Sequence, residues 1–130
     1  MRLWHQSMLD KLRRQQLLGQ HRELCALRGK GWGRKHATVD YVFTHEPERL
    51  VAYHYLVMDE MQRRGYKPDS TWYRPNWRGS TLGEQDGWAQ FRLVESFLSK
   101  SEAGIHIYPE HDVAYYKECV ENLRQKGIEI

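Results

Sequence analysis

Residues 46–65, EPERLVAYHYLVMDEMQRRG, read as one amphipathic helix around which the rest of the chain is organised. Pro47 suits a first helical position, where an N–H would have no intrahelical partner anyway. Leu50, His54, Val57, Met58 and Met61 recur at spacings of three and four and make a buried stripe, so His54 reads as a core histidine. Gly65 suits the close of the helix, and Glu60 with Arg64 forms an i,i+4 pair on what this reading makes its exposed side.

On the N-terminal side, apolar residues recur at helical spacing from Met8 to Arg28. At about 100° per residue, Leu17, Leu18, His21, Leu24 and Cys25 share one face, while Gln16, Gly19, Glu23 and Ala26 lie opposite. Glu23 is therefore expected to point away from the core, with Arg22 beside it. Gly29, Gly31 and Gly33 end the helix and lead into Arg34, Lys35 and His36. The segment HATVDYVF, 36–43, fits a short strand or a helical turn, and helix or irregular structure is preferred because no partner strand follows.

On the C-terminal side, residues 66–88 hold two of the four prolines, three glycines and three of the five tryptophans, a composition that predicts a long structured loop. Trp88–Ser99 predicts a third helix with Phe91, Val94, Glu95 and Leu98 on one side. GIHIYP, 104–109, looks extended, and HDVAYYKECVENLRQKG, 111–127, predicts a last helix with Val113, Tyr116, Val120 and Leu123 inside. The expectation is an all-α fold: one domain over residues 1–130, a small helical bundle with a long aromatic loop.

Charge is divided unevenly along the chain. Residues 1–36 carry nine Lys or Arg against two acids, whereas residues 37–130 carry eleven against fifteen. A basic part beside an acidic part predicts a negative partner met by one face, and nucleic acid leads. Within the basic part Glu23 is conspicuous, because a lone carboxylate opposes phosphate binding and needs another reason to be there; chemistry is one, and a solvated ion pair is the other. The two cysteines, Cys25 and Cys119, stand far apart at buried helix positions and read as reduced core thiols of a cytosolic protein. No apolar run approaches the roughly 20 residues of a membrane span, and the first residues lack a secretory pattern.

Other chemistries lack their motifs. Seven histidines invite a metal, yet no H-x-x-x-H or paired C-x-x-C occurs, and His106 and His111 are separated by a proline segment. Cys25 faces the predicted core, where thiols are inert. His21 lies on the apolar stripe, and His36 is open to contact with either phosphate or a reaction centre. Trp72 and Trp77 either pack the loop down or stack on bases.

Taken together, MRLW at the N-terminus, QQLLGQHREL at 15–24 with its Arg22-Glu23 pair, GRKH at 33–36, RRGY at 63–66 and YPEHDV opening the last helix resemble the pyrimidine-dimer DNA glycosylase (endonuclease V) family. The first 66 residues carry most of the likeness. The resemblance implies a repair glycosylase with abasic-site lyase activity, acting on damaged double-stranded DNA without metal or organic cofactor. A main-chain α-amine attacks C1′ of the sugar, and a helix glutamate assists. Carried onto this chain, the amine is that of Met1, whose removal the bulky Arg2 disfavours, and the carboxylate is that of Glu23. Arg2, Arg13, Arg22, Lys35, His36, Trp77 and Arg78 are the expected DNA contacts. A monomer in the cytoplasm, associated with the nucleoid, is the expected setting. Three features depart from the family pattern: Gln16 stands where histidine is found, the chain closes KGIEI in place of an aromatic tail, and the loop with Trp72, Tyr73, Arg74, Trp77 and Arg78 has no clear counterpart. A non-catalytic nucleic-acid-binding domain on the same scaffold, or a protein-interaction module using the aromatic loop, are the alternative readings.

Overall fold

The computed structural model describes residues 3–29 and 42–130. Among them are five α-helices: α1 (Arg14–Arg28), α2 (Pro47–Arg63), α3 (Gly79–Leu82), α4 (Phe91–Glu102) and α5 (Val113–Gln125). Two 3-10 turns occur at Gln6–Met8 and Ser70–Tyr73. The only β feature among the described residues is an isolated antiparallel bridge between Trp77 and Glu84. The fold is all-α.

Helix α2 is the central element, packed by α1 and by α4. Pro47 opens it. Gly65 closes it at φ 89°, with the Tyr66 N–H reaching the Met61 carbonyl at 2.9 Å, a Schellman-type end that satisfies an orphan carbonyl. The stripe Leu50, His54, Val57, Met58 and Met61 is buried as its spacing predicts. Burial also extends to Tyr53 and Tyr55, because their hydroxyls donate to the Trp4 and Tyr73 carbonyls. Glu60 differs from the expectation of an exposed pair: it is only 9% exposed. Its carboxylate accepts from Arg63 Nε at 2.8 Å and Arg64 Nε at 2.6 Å. Arg64 also donates to the Leu9 and Asp10 carbonyls, which ties the N-terminal turns to α2.

The other helices appear where expected but present different faces. Helix α1 begins at Arg14, because residues 6–12 form a 3-10 turn and a further turn ahead of it. In α4 the buried residues are Val94 and Phe97, and Phe91 is 56% exposed. The start of α4 is pinned by hydrogen bonds from the Ala89 N–H to Asn76 and from the Gln90 N–H to Glu48, so its first turn projects outward. In α5 the inner residues are Tyr115, Cys119 and Leu123, while Val113 is 73% exposed. Tyr115 turns inward because its hydroxyl donates to the Leu3 carbonyl at 2.5 Å. GIHIYP is irregular instead of extended, with Ile107 and Tyr108 buried. Of HATVDYVF, only Val42 and Phe43 fall among the described residues. No helix among the described residues is long and apolar enough to cross a membrane.

Candidate active site

The site is built on α1. The buried residues of this helix are Leu17, Gln20, Leu24, Leu27 and Arg28, so the inward stripe is rotated towards Gln20 relative to the apolar pattern. The rotation has a local cause. Gln20 Oε1 accepts the Trp4 N–H at 2.8 Å and lies 3.4 Å from the Tyr53 hydroxyl, which seats the N-terminal segment against this side of α1. Without those donors a buried amide oxygen would cost about 1–3 kcal/mol.

Glu23 is consequently not turned away from the core. It is half-buried at the edge of the inward stripe, and its Oε1 accepts from Gln20 Nε2 at 3.1 Å. Gln20 thus bridges the Glu23 carboxylate to the backbone of Trp4. The carboxylate also raises the Tyr53 phenol's pKa, after burial and the neighbouring Tyr115, Cys119 and Tyr108. A carboxylate beside the N-terminal segment, with a buried phenol nearby, is suited to holding a cation and moving protons.

The outward face of α1 is cationic. Arg13, Arg14 and Arg22 are exposed, and among the described residues none of them has a carboxylate partner. Arg14, Gln15, Leu18 and Arg22 line an open notch of about 400 Å³. Arg14 lies 5.5 Å from the ring of Tyr66, the tyrosine of RRGY, which places that motif at the same surface. Exposed guanidinium groups of this kind suit contact with phosphate.

The aromatic segment 66–88 behaves otherwise. Arg28, fully buried at the end of α1, donates to the carbonyls of Trp72 at 2.6 Å and Arg74 at 2.7 Å. Arg78 returns the contact from the loop, donating to the Arg28 carbonyl at 2.7 Å and the Gly29 carbonyl at 3.1 Å. It thereby satisfies the C-terminal end of α1, where a cation is also favoured by the helix dipole. Its guanidinium stacks 4.4 Å from the Trp88 ring. Arg78, expected on DNA, is engaged inside the molecule. Trp77 packs edge-on against Trp72 at 6.4 Å and Trp72 lies over Arg28 at 5.1 Å, so these rings fill the dock between loop and helix.

One cluster escapes a reading by motif. His21, Cys25 and His54 bring ligand-capable atoms within 4.8 Å of one another, across an i,i+4 step on α1 and one position on α2. The chemistry of the donors is that of a hydrogen-bonded chain. Arg28 Nη1 lies 3.1 Å from His54 Nδ1, and a guanidinium can only donate, so the His54 proton sits on Nε2. That Nε2 faces His21 Nδ1 at 2.9 Å. The lone pair a metal would need on His54 Nε2 is therefore occupied by a proton. Burial pushes the Cys25 thiol up to about 11, which keeps it protonated. Burial also holds His54 well below the usual imidazole range, with Arg28 and His21 adding to the effect. In sequence only the i,i+4 spacing of His21 and Cys25 is visible; the third member comes from a different helix.

Of the expected site residues, Glu23, Arg13, Arg22, Trp77 and Arg78 are described, and the structure brings Glu23 to the N-terminal segment. Met1, Arg2, Lys35 and His36 lie outside the described residues. The described residues thus form an all-helical structure with Glu23 half-buried near the Leu3–Trp4 segment and arginines exposed on the adjoining surface of α1. A family model described as pyrimidine dimer DNA glycosylase matches residues 1–74, more than half of the chain, and the chain belongs to that family. No curated protein and no solved structure matches it. The family makes the chain a glycosylase of DNA repair, with DNA as its substrate.

Proposed function

We propose that the protein couples base removal to abasic-site strand cleavage, with the α-amine of Met1 as nucleophile and Glu23 as the assisting carboxylate. The amine nitrogen bonds to C1′ as the base departs with the glycosidic electron pair. Opening of the sugar ring gives an imine whose positive charge Glu23 stabilises. Loss of a proton from C2′ then expels the 3′-phosphate by β-elimination. An α-amine has a reference pKa of about 7.7–8.0, well below that of lysine, so an appreciable fraction is unprotonated at neutral pH.

The observation that supports this reading is the Glu23–Gln20–Trp4 linkage. Three residues of chain span at most about 11 Å, so the first nitrogen is tethered close to a point already bonded through one side chain to Glu23. The binding surface in this reading is Arg2, Arg13 and Arg22 with Lys35 and His36, and the monomer is the working form. The test is borohydride reduction of the untagged protein on duplex DNA containing an abasic site. A covalent adduct is expected, and an N-terminal extension abolishes it. DNA binding by an untagged, folded sample with no adduct would contradict the imine chemistry.

A further inference from the structure

Four of the seven histidines, His5, His45, His106 and His111, gather where the N-terminal segment meets the region before α5. Two of them do something a histidine does only when neutral. His111 Nδ1 accepts the Gln6 N–H at 3.0 Å across 105 residues of sequence, and His5 Nδ1 accepts the Ser7 N–H at 3.0 Å. A backbone N–H can only donate, so each Nδ1 must present a lone pair. A protonated imidazole carries hydrogens on both nitrogens, and each contact would then set donor against donor.

We infer that His111 and His5 are positioning residues, which hold the segment bearing the Met1 amine against α1 while their rings are neutral and loosen it on protonation. This inference rests on the imine-forming reading above. One further restraint also involves a histidine, the contact of Ser7 Oγ with His106 Nε2 at 3.0 Å. The others do not titrate in the acid range: the Tyr53 and Tyr115 hydroxyls on the Trp4 and Leu3 carbonyls, Gln20 on the Trp4 N–H, and the Ile107 N–H on Gln6 Oε1 at 2.8 Å.

The surroundings decide how the pair takes up a proton. The His5 and His111 rings stack at 5.1 Å and 24°, so a charge on one opposes a charge on the other and the pair gains one proton in a first step. His5 also faces His106, Tyr115, Tyr116 and Asp112, and His111 faces Tyr53, Tyr108 and Tyr115. Lys11 lines the same cavity of about 570 Å³ that opens onto both rings and gives solvent protons their entry. Burial, then His106, hold His5 below the usual imidazole range, against backbone carbonyls of His111 and Asp112 and the Asp112 charge, which favour its cation. His5 is therefore the ring of the pair that burial and His106 keep neutral to lower pH.

The experiment measures the single-turnover rate of borohydride-trapped adduct on abasic-site duplex at saturating enzyme, from pH 5 to 8.5, together with hydrogen-exchange protection of the Gln6 and Ser7 amides. Ionisation of the amine alone gives log rate against pH a slope of one. The clamp steepens the acid limb towards two, and protection of both amides falls over the same interval. His111→Leu removes the acceptor and slows trapping across the range. His111→Asn, which offers an oxygen that does not titrate, recovers rate relative to H111L, and the double variant His5→Asn with His111→Asn has no steep acid limb. A slope of one in the wild type, or amide protection that does not change with pH, overturns the inference. Should no adduct form at any pH while the amides still lose protection in acid, the clamp stands and the imine reading falls.

Discussion

The outward face of α1 and the 66–88 segment are both rich in residue types common at DNA surfaces, and they use their arginines differently. Arg13, Arg14 and Arg22 stand exposed, whereas Arg78 is bonded to the last carbonyls of α1 and Trp72 and Trp77 pack over Arg28. The same residue types thus divide between an exposed face and a structural dock. Composition could not separate them, because the deciding partners are backbone carbonyls 44 to 50 residues away.

Substitutions on the two sides should separate rate and binding from stability. On the α1 side, Glu23→Gln is expected to slow single-turnover strand cleavage by at least about 100-fold while DNA affinity changes by about twofold or less. Equal losses in both quantities would make Glu23 a binding residue. On the dock side, Arg28→Ala leaves the Trp72 and Arg74 carbonyls unbonded and is expected to destabilise the fold by on the order of 3 kcal/mol. Urea titration followed by circular dichroism measures that loss.

The arginine pair gives a smaller and sharper contrast. Arg22→Gln should make the salt dependence of DNA binding shallower by about 0.9, the value of one phosphate contact, with stability unchanged. Arg78→Gln should do the reverse, costing about 1 kcal/mol of stability and leaving the salt slope alone. If both substitutions flatten the slope, the dock is also a DNA surface.

The smallest expected effect is on pH. His54, His21 and His5 are all held below the ordinary imidazole value, first of all by burial. A depressed pKa means that the folded state favours the neutral ring. The associated stability is complete above about pH 6.5 and is lost as the pH falls towards the folded values. Thermal unfolding should accordingly drop by on the order of 5 °C between pH 7.5 and 5.5. His54→Phe, which cannot titrate, should reduce that drop, whatever its effect on the midpoint at neutral pH.

The legible parts of the chain were those governed by local pattern. Helix α2 carries its own start at Pro47, its stop at Gly65 and a continuous apolar stripe, so its sequence alone defines it. The face of α1 was legible only in part, since an apolar count gives no weight to Gln20 and Arg28. These two polar side chains are buried because distant backbone groups meet them. The faces of α4 and α5 moved for the same kind of reason, long-range hydrogen bonds at Ala89 and Gln90 for the first and at Tyr115 for the second. Glu23 stood out in the sequence by charge contrast and by the resemblance that QQLLGQHREL carries. What its sequence lacked was the neighbour, Gln20, that links it to the chain's start.

The most direct measurement is to locate the trapped sugar. After borohydride reduction on abasic-site DNA, protease digestion and mass spectrometry should find the adduct on the α-nitrogen of the N-terminal peptide, with lysine-containing peptides unmodified. An adduct carried by Lys35 or any other lysine, with the α-amine unmodified, would contradict the account.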